Sequence, residues 1–258
     1  MPKIFGYDDP SDMPISISSE IATAIEQLYT VFQHYPLPKT TNPCLCCHSV
    51  DAERPLYSRP LRQLRQKDLE QYAGDALLVW GGLNEFRHFL PRIFEIYAFV
   101  ERFSFPDREI IFGRLGYGEW RTWPQKEQDA VQGFLLALWR AALNEPPSDD
   151  LSCAPEIESW LCTLAQTEAD LSLYCSEWLA HPSPNAMWNL AAIIYRTGMR
   201  RVDTRAISAF WREHMDEAKQ IADWLHGEAV RHALAKAIEL YSNEPFTEEL
   251  VAAMNVIS

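Results

Sequence analysis

The segment "NPCLCCHSV" brings three cysteines and a histidine together within five positions. Cys44 and Cys47 have the C-x2-C spacing that lets two thiolates face one zinc ion. His48 is a candidate third ligand, although a residue adjacent to Cys47 reaches the same ion only after some backbone adjustment. The sequence therefore predicts a candidate zinc site at this turn.

A zinc site needs a fourth ligand, and the sequence contains no second C-x2-C or H-x3-H pair to provide one. His34 and His88 are candidates for that position. Two other interpretations stay open, namely free cysteines that fill small apolar gaps under a proline-bounded turn and a redox pair. The redox pair is less favoured because no strand pattern precedes the motif. The packing interpretation is favoured, so no cofactor is expected, and zinc is the candidate if one binds.

The segment "EFRHFLPRIFEIYAFV" is apolar around nearly its whole circumference, which is typical of a buried helix. His88, Arg92 and Glu95 have i, i+4 and i+7 spacing and form a narrow polar seam on one side of it. Pro91 has no N–H for the carbonyl of Arg87. That carbonyl must therefore find another partner or face a cavity.

Two interpretations of this seam remain. Arg87, His88 and Arg92 could hold an anionic group or the carboxylate of a partner at the proline kink. Alternatively, the seam is a buried network that ties two core helices together, which is the favoured interpretation because such networks are usually structural. A buried Arg92 must be paired, either with an acid of the preceding helix or with Glu95.

The segment "RPLRQLRQK" places Arg59, Arg62 and Arg65 three positions apart, as a basic ridge. A phosphate contact centred on Arg62 is one interpretation, and a solvated surface is the favoured one. Trp80, at the end of the next predicted helix, is a further candidate binding residue.

Period-3.6 apolar patterns, interrupted by Pro and Gly, run through the chain, and no segment alternates with period two over the length of a strand. They predict an all-α protein of about ten helices. We expect either stacked antiparallel helical hairpins, as in an irregular α-solenoid of the HEAT/ARM type, or an irregular helical bundle. Residues 1–258 are predicted to form one domain, with a possible seam at 144–155 and a flexible arm at 1–14.

The charge distribution limits the classes of partner that the protein is expected to bind. The net charge is -13, and residues 124–258 carry 20 acidic and 10 basic side chains. Such a surface repels phosphate backbones and anionic lipid, so nucleic-acid and membrane binding are not expected. No long apolar stretch follows the charges of the first dozen residues, so an export signal is not expected, and no apolar stretch is long enough to cross a bilayer. We therefore expect a cytoplasmic protein with reduced thiols.

The run "CLCCHS…PLRQL…DLEQYAGDALLVWGGLNEFRHFLPRIFEI", residues 44–96, resembles a bacterial family of uncharacterised proteins. Its members share a cysteine-rich turn, a P-L-R-x-L stretch and an F-x-H-F-L-P-R segment. The resemblance covers about a fifth of the chain and implies no activity, but it directs attention to residues 44–96.

These observations favour a non-enzymatic module for protein–protein interaction, because helical arrays present extended surfaces and the chain has no recognisable catalytic constellation. The alternative is a metal-dependent or anion-binding enzyme. That enzyme would be centred on the Cys44–His48 turn and on Arg87, His88 and Arg92. The sequence predicts no oligomeric state.

Overall fold

A computed structural model of the chain describes five ranges: 18–49, 51–99, 106–148, 155–196 and 209–258. Within them every regular element is a helix, so the predicted all-α class is confirmed. The choice between a solenoid and a bundle stays a prediction. The predicted flexible arm at residues 1–14 lies outside the described ranges.

By its contacts the chain divides into two compact units, Met1–Ala137 and Leu138–Ser258. The division falls inside the helix Gln125–Asn144, before the seam predicted at residues 144–155. The N-terminal unit contains α1 (Ser19–Phe32), α2 (Gln66–Asp75), α3 (Leu83–Phe99), α4 (Arg108–Tyr117) and most of α5 (Gln125–Asn144). Three short 3₁₀ helices connect them: Arg54–Tyr57, Leu61–Gln63 and Trp120–Thr122.

The first helix forms as its sequence predicts. Ser18 is the N-cap, and its hydroxyl accepts a hydrogen bond from the backbone N–H of Ile21. Four apolar residues with helical spacing in this segment are all buried: Ile21, Ile25, Leu28 and Phe32. This face packs against α3.

Helix α3 is the buried centre of the N-terminal unit. It contains Pro91 in its interior and is buried from Phe89 to Ile96. The ring of Phe94 stacks on Phe134 with centroids 5.2 Å apart. Aromatic packing of this kind stabilises the core in addition to the area that it buries.

Helix α2 is shorter than its apolar pattern predicts. The stripe from Leu69 to Trp80 suggests one helix, but α2 ends at Asp75 and Leu77 has a φ of 67°. A left-handed residue cannot continue an α-helix. Trp80 is nevertheless buried, because the chain folds back and pairs it with Pro43 in an isolated antiparallel bridge.

The C-terminal unit contains α6 (Glu156–Thr167), α7 (Ser172–Ala180), α8 (Pro184–Arg196), α9 (Met215–Leu225), α10 (Glu228–Leu240) and α11 (Thr247–Ile257). Trp139 and Trp178 meet edge to face in its core at 5.3 Å. Cys162 and Cys175 are both buried there. Among the helices described, none is both long enough and apolar enough to span a membrane.

Candidate functional site

Residues 44–48 form a tight turn, called here the three-cysteine turn. The backbone N–H groups of Cys47 and His48 both donate to the carbonyl of Cys44, at 3.0 and 2.9 Å. The N–H of Cys44 donates to the carbonyl of Val79 at 2.8 Å. This bond and the bridge between Pro43 and Trp80 hold the turn against the segment that follows α2.

The turn brings three sulfur atoms together. The Sγ atoms of Cys44, Cys46 and Cys47 all lie within 4.8 Å of one another. Cys44 and Cys46 are 2.6 Å apart, and Cys46 and Cys47 are 3.6 Å apart. Cys46 and Cys47 are exposed, whereas Cys44 is half-buried. The thiols therefore form one cluster that solvent reaches.

This cluster fits a thiophilic metal ion. Two sulfurs on one tetrahedral zinc ion, each at about 2.3 Å from the metal, are about 3.8 Å apart. The separation of 3.6 Å between Cys46 and Cys47 matches that value, and the pair of Cys44 and Cys46 would open by about 1 Å. In the part of the chain that the structure describes, no fourth His, Cys, Asp or Glu joins the group.

The pKa values of Cys44 and Cys46 are shifted in opposite directions. Hydrogen bonds from the neighbouring thiols, that of Cys46 above all, lower the pKa of Cys44. The same bond to Cys44 and the charge of both neighbours raise the pKa of Cys46 to about 11. Cys44 therefore deprotonates before Cys46, and a bound cation would be needed to draw the proton from Cys46 at neutral pH.

His48, a predicted metal ligand, lies outside the thiol group. Its side chain is only 4 % exposed, and its Nε2 lies 3.4 Å from Oδ2 of Asp75. Its Nδ1 lies 3.1 Å from Nε2 of Gln71. The ring centroid is 4.5 Å from that of Trp80. His48 therefore holds the turn against α2. Cys46, which the C-x2-C interpretation counts only as a residue between two ligands, belongs to the thiol cluster.

The two histidines considered as a fourth ligand are also held elsewhere. Nε2 of His34 lies 3.6 Å from Oε1 of Glu127. Nδ1 of His88 lies 2.9 Å from the carbonyl of Tyr35, and burial lowers the pKa of His88. Neither ring is part of the cysteine cluster.

Trp80 anchors the turn from the interior of the protein. Its Nε1–H donates to the hydroxyl of Thr41 at 2.7 Å, and both residues are buried. The Thr41 hydroxyl and backbone N–H donate in turn to Oε2 of Glu53, at 3.0 and 2.7 Å. Burial opposes the charge on Glu53, but these hydrogen bonds prevail and lower its pKa. Trp80 is therefore an internal support, with 2 % of its surface exposed.

The polar seam of α3 (His88, Arg92 and Glu95) contains a buried ion pair between Arg92 and Glu95. The guanidinium of Arg92 donates to Oε2 of Glu95 at 2.7 Å and to the carbonyl of Leu64 at 2.7 Å. The hydroxyl of Tyr29 donates to the same Glu95 oxygen at 2.5 Å. Burial and the Glu95 charge raise the pKa of Tyr29. The pair joins α3 to α1 and to the turn before α2.

Arg87 belongs to a second network. It donates to the hydroxyl of Tyr35 at 2.8 Å, and that hydroxyl donates to Oε1 of Glu127 at 2.8 Å. Nε of Arg87 lies 3.4 Å from the other Glu127 oxygen, and Glu127 is 2 % exposed. Arg87 and Arg92 thus face different carboxylates, and the structure does not bring them together around one anion site.

Arg62, the candidate in the basic ridge, is paired as well. It donates to both carboxylate oxygens of Glu26, at 2.7 and 2.8 Å. Its guanidinium also lies over the ring of Tyr29, 3.7 Å from the centroid. Arg59 lies 3.5 Å from Asp68. These positive charges are compensated within the protein, which disfavours a phosphate site here.

Comparison with known proteins finds no relative: no family model, no curated protein and no solved structure matches the chain. The resemblance of residues 44–96 to a bacterial family therefore stays a prediction, and functional inference rests on the site itself.

Proposed function

We propose that the three-cysteine turn binds one thiophilic metal ion, with zinc as the candidate, and that the protein is a non-enzymatic module that presents this ion to a protein partner. The observation that carries the proposal is the approach of three Sγ atoms to within 4.8 Å of one another. Thiolate sulfur selects soft ions such as Zn²⁺ and Cu⁺ over the hard ions that oxygen ligands prefer.

The exposure of the cluster supports an interaction role over catalysis. Catalytic metal ions work in dry, shaped cavities, whereas Cys46 and Cys47 lie on the surface. Three protein ligands leave one position of a tetrahedral ion for a water molecule or for a side chain of a partner. The enzyme predicted as the alternative is therefore less favoured at this turn.

Two exposed leucines beside the thiols support a partner surface. Leu45 is 68 % exposed and follows Cys44 directly, and Leu78 is 48 % exposed and precedes Val79. The hydrogen bond from Cys44 to Val79 holds these two segments side by side. Apolar residues around a polar centre suit a protein interface.

Titration of the reduced protein with Co²⁺ tests the metal site. Sulfur-to-cobalt charge-transfer absorption should appear and saturate at one equivalent, and Zn²⁺ should displace the cobalt. Each of C44S, C46S and C47S should weaken binding by at least ~10-fold, since ligand loss exceeds the effect of losing an outer-shell partner. C175A is the matched control, because burial raises the pKa of that thiol to about 12. Equal weakening in C175A, or no stoichiometric band, would contradict the site.

A second experiment tests the partner surface. A stoichiometric partner captured by the zinc-loaded wild type should be lost with L45D, and the captured complex should show a changed zinc ligand set by X-ray absorption. L240D is the matched control, because Leu240 is 66 % exposed and lies in the C-terminal unit. Equal loss in both variants would place the contact elsewhere.

A further inference from the structure

Cys44 and Cys46 hold their sulfur atoms close to the distance of a covalent bond. Their Sγ atoms are 2.6 Å apart, whereas those of Cys46 and Cys47 are 3.6 Å apart. A disulfide bond is about 2.05 Å long, so the first pair needs to approach by only about 0.5 Å to form one. The three-cysteine turn therefore holds two thiols in a position to be oxidised to a disulfide.

The backbone spacing also favours Cys44 with Cys46 over Cys46 with Cys47. Disulfides join Cα atoms that are about 4.4–6.8 Å apart. The Cα atoms of adjacent residues are about 3.8 Å apart across a trans peptide bond, which is too short without strain. Residues two apart span about 7 Å when fully extended, and the hydrogen bonds from Cys47 and His48 to the carbonyl of Cys44 close the turn and shorten that span. The C-x-C pair therefore suits a disulfide.

A dissolved oxidant reaches this pair more readily than it reaches the thiols of the C-terminal unit. Cys46 is exposed and Cys44 is half-buried, whereas Cys162 and Cys175 are 0 % and 4 % exposed. The oxidation of a cysteine depends on its exposure as well as on its thiolate character. Among the cysteines in the described ranges, those of the turn are therefore the first that a small hydroperoxide oxidises.

We propose that the turn is a site of reversible oxidation, at which a hydroperoxide converts Cys44 and Cys46 to a disulfide and thereby releases the metal ion. The release rests on the metal site proposed above, whereas the disulfide does not. The thiolate is the form of cysteine that binds metal, so oxidation leaves Cys47 as the single thiolate ligand of the three. A thiol reductant reverses the change by attacking the exposed disulfide.

The oxidation takes two steps. In the first, one thiolate of the pair attacks an oxygen of the hydroperoxide, the O–O bond breaks, and an alcohol leaves, or water in the case of hydrogen peroxide. In the second, the other thiolate attacks the sulfur of the resulting sulfenic acid, the S–S bond forms, and the S–O bond breaks to release water. The two electrons lost by the pair reduce the peroxide. The two protons on the departing oxygens come from the thiols, or from solvent when the thiolates are bound to metal.

Hydrogen peroxide tests the disulfide on the reduced, metal-free protein. All samples carry C153S, because Cys153 lies outside the described ranges. One equivalent of peroxide should remove two free thiols from each monomeric chain and lower its mass by two hydrogens, and dithiothreitol should restore both thiols. No loss of thiols, a disulfide between two chains, or a gain of oxygen mass that dithiothreitol does not reverse would overturn the proposal.

Variants identify the pair. Cys44 and Cys47 are the competing pair, since all three sulfurs lie within 4.8 Å of one another. C47S is the matched control, because it keeps Cys44 and Cys46 and should form the disulfide against glutathione with the equilibrium constant of the wild type. C44S and C46S should each lower that constant by at least ~10-fold, because the strain of a less suitable geometry exceeds the free energy of a tenfold change. Equal constants in C46S and the wild type would overturn the assignment.

The zinc-loaded protein tests the release. A zinc indicator should detect one ion released for each disulfide formed, and dithiothreitol should return the ion to the protein. Zinc that stays bound while the disulfide forms would contradict the release. A reduced protein that takes up neither Co²⁺ nor Zn²⁺ would contradict the proposed metal site together with the release, whereas the thiol count on the metal-free protein still decides the disulfide.

Discussion

The three-cysteine turn and the polar seam of α3 both concentrate polar chemistry within a few residues of the N-terminal unit, but they use it in opposite ways. In the turn, Cys46 and Cys47 are exposed and their sulfurs contact one another. In the seam, Arg92 and Glu95 are 8 % and 5 % exposed and bond to each other. Groups that are buried and mutually neutralised are committed to the fold, whereas exposed soft ligands stay available for binding.

The largest expected effect tests the buried half of this comparison. E95A removes the only carboxylate bonded to Arg92 in the contacts described above and takes the acceptor away from Tyr29. Breaking a buried pair by removing one partner leaves an uncompensated charge, so unfolding in urea should show a loss of about 3–5 kcal/mol.

Two controls separate charge from packing in that experiment. The double variant R92M/E95L should recover the part of the loss that the uncompensated charge causes, because an apolar pair avoids the desolvation cost, while the hydroxyl of Tyr29 still lacks its acceptor. C46S should leave the urea midpoint of the metal-free protein near that of the wild type, since its side chain is exposed. A loss below about 1 kcal/mol in E95A would show that water reaches the pair and would remove the contrast with the turn.

An intermediate effect is expected where the turn is anchored. T41V removes the hydroxyl that joins Trp80 to Glu53 and leaves a buried indole N–H without its acceptor. Leaving such a donor unsatisfied costs about 1–3 kcal/mol. The same variant should weaken Co²⁺ binding at the cysteines, because the turn loses an anchor.

Thr40 provides the matched control for that variant. Its hydroxyl donates to the same Glu53 oxygen at 2.8 Å, but the residue is exposed. T40V should therefore change the stability by less than about 0.5 kcal/mol. If T41V and T40V lost equal stability, the burial of Thr41 would not contribute to the stability that its hydroxyl provides.

Local patterns predicted much of this unit correctly. The apolar face of α1 and the buried helix with Pro91 follow from spacing alone. Spacing also made Glu95 one of the two candidate partners of Arg92, because residues three apart on a helix meet on its surface, and the structure selects it. These predictions succeed because each depends on neighbours within one or two turns.

Predictions that depend on distant parts of the chain were incomplete. Nothing near Arg87 in the sequence indicates that its carboxylate partner is Glu127. The left-handed Leu77 ends α2 early, and the returning chain then places Trp80 and Asp75 around His48. These tertiary contacts hold His48 against α2 and Trp80, so the candidate metal ligands are the three Sγ atoms alone. The closeness of three cysteines in four positions was the available signal for Cys46.

The smallest effect is expected at the surface pair of Glu26 and Arg62, which are 65 % and 47 % exposed. The hydrogen bond from Arg62 lowers the pKa of Glu26, so this contribution is present above the ordinary pKa of the carboxyl and is lost as the pH falls through the lowered value. E26Q should cost about 0–1 kcal/mol in urea at pH 7, and nothing in acid below that pKa, because solvent screens the pair.

Because the Debye length is about 3 Å in 1 M salt, NaCl should also reduce the E26Q effect while leaving that of E95A unchanged. A loss above about 2 kcal/mol that persists in salt would place this exposed pair energetically with the buried seam, and exposure would then no longer separate the two classes of polar cluster.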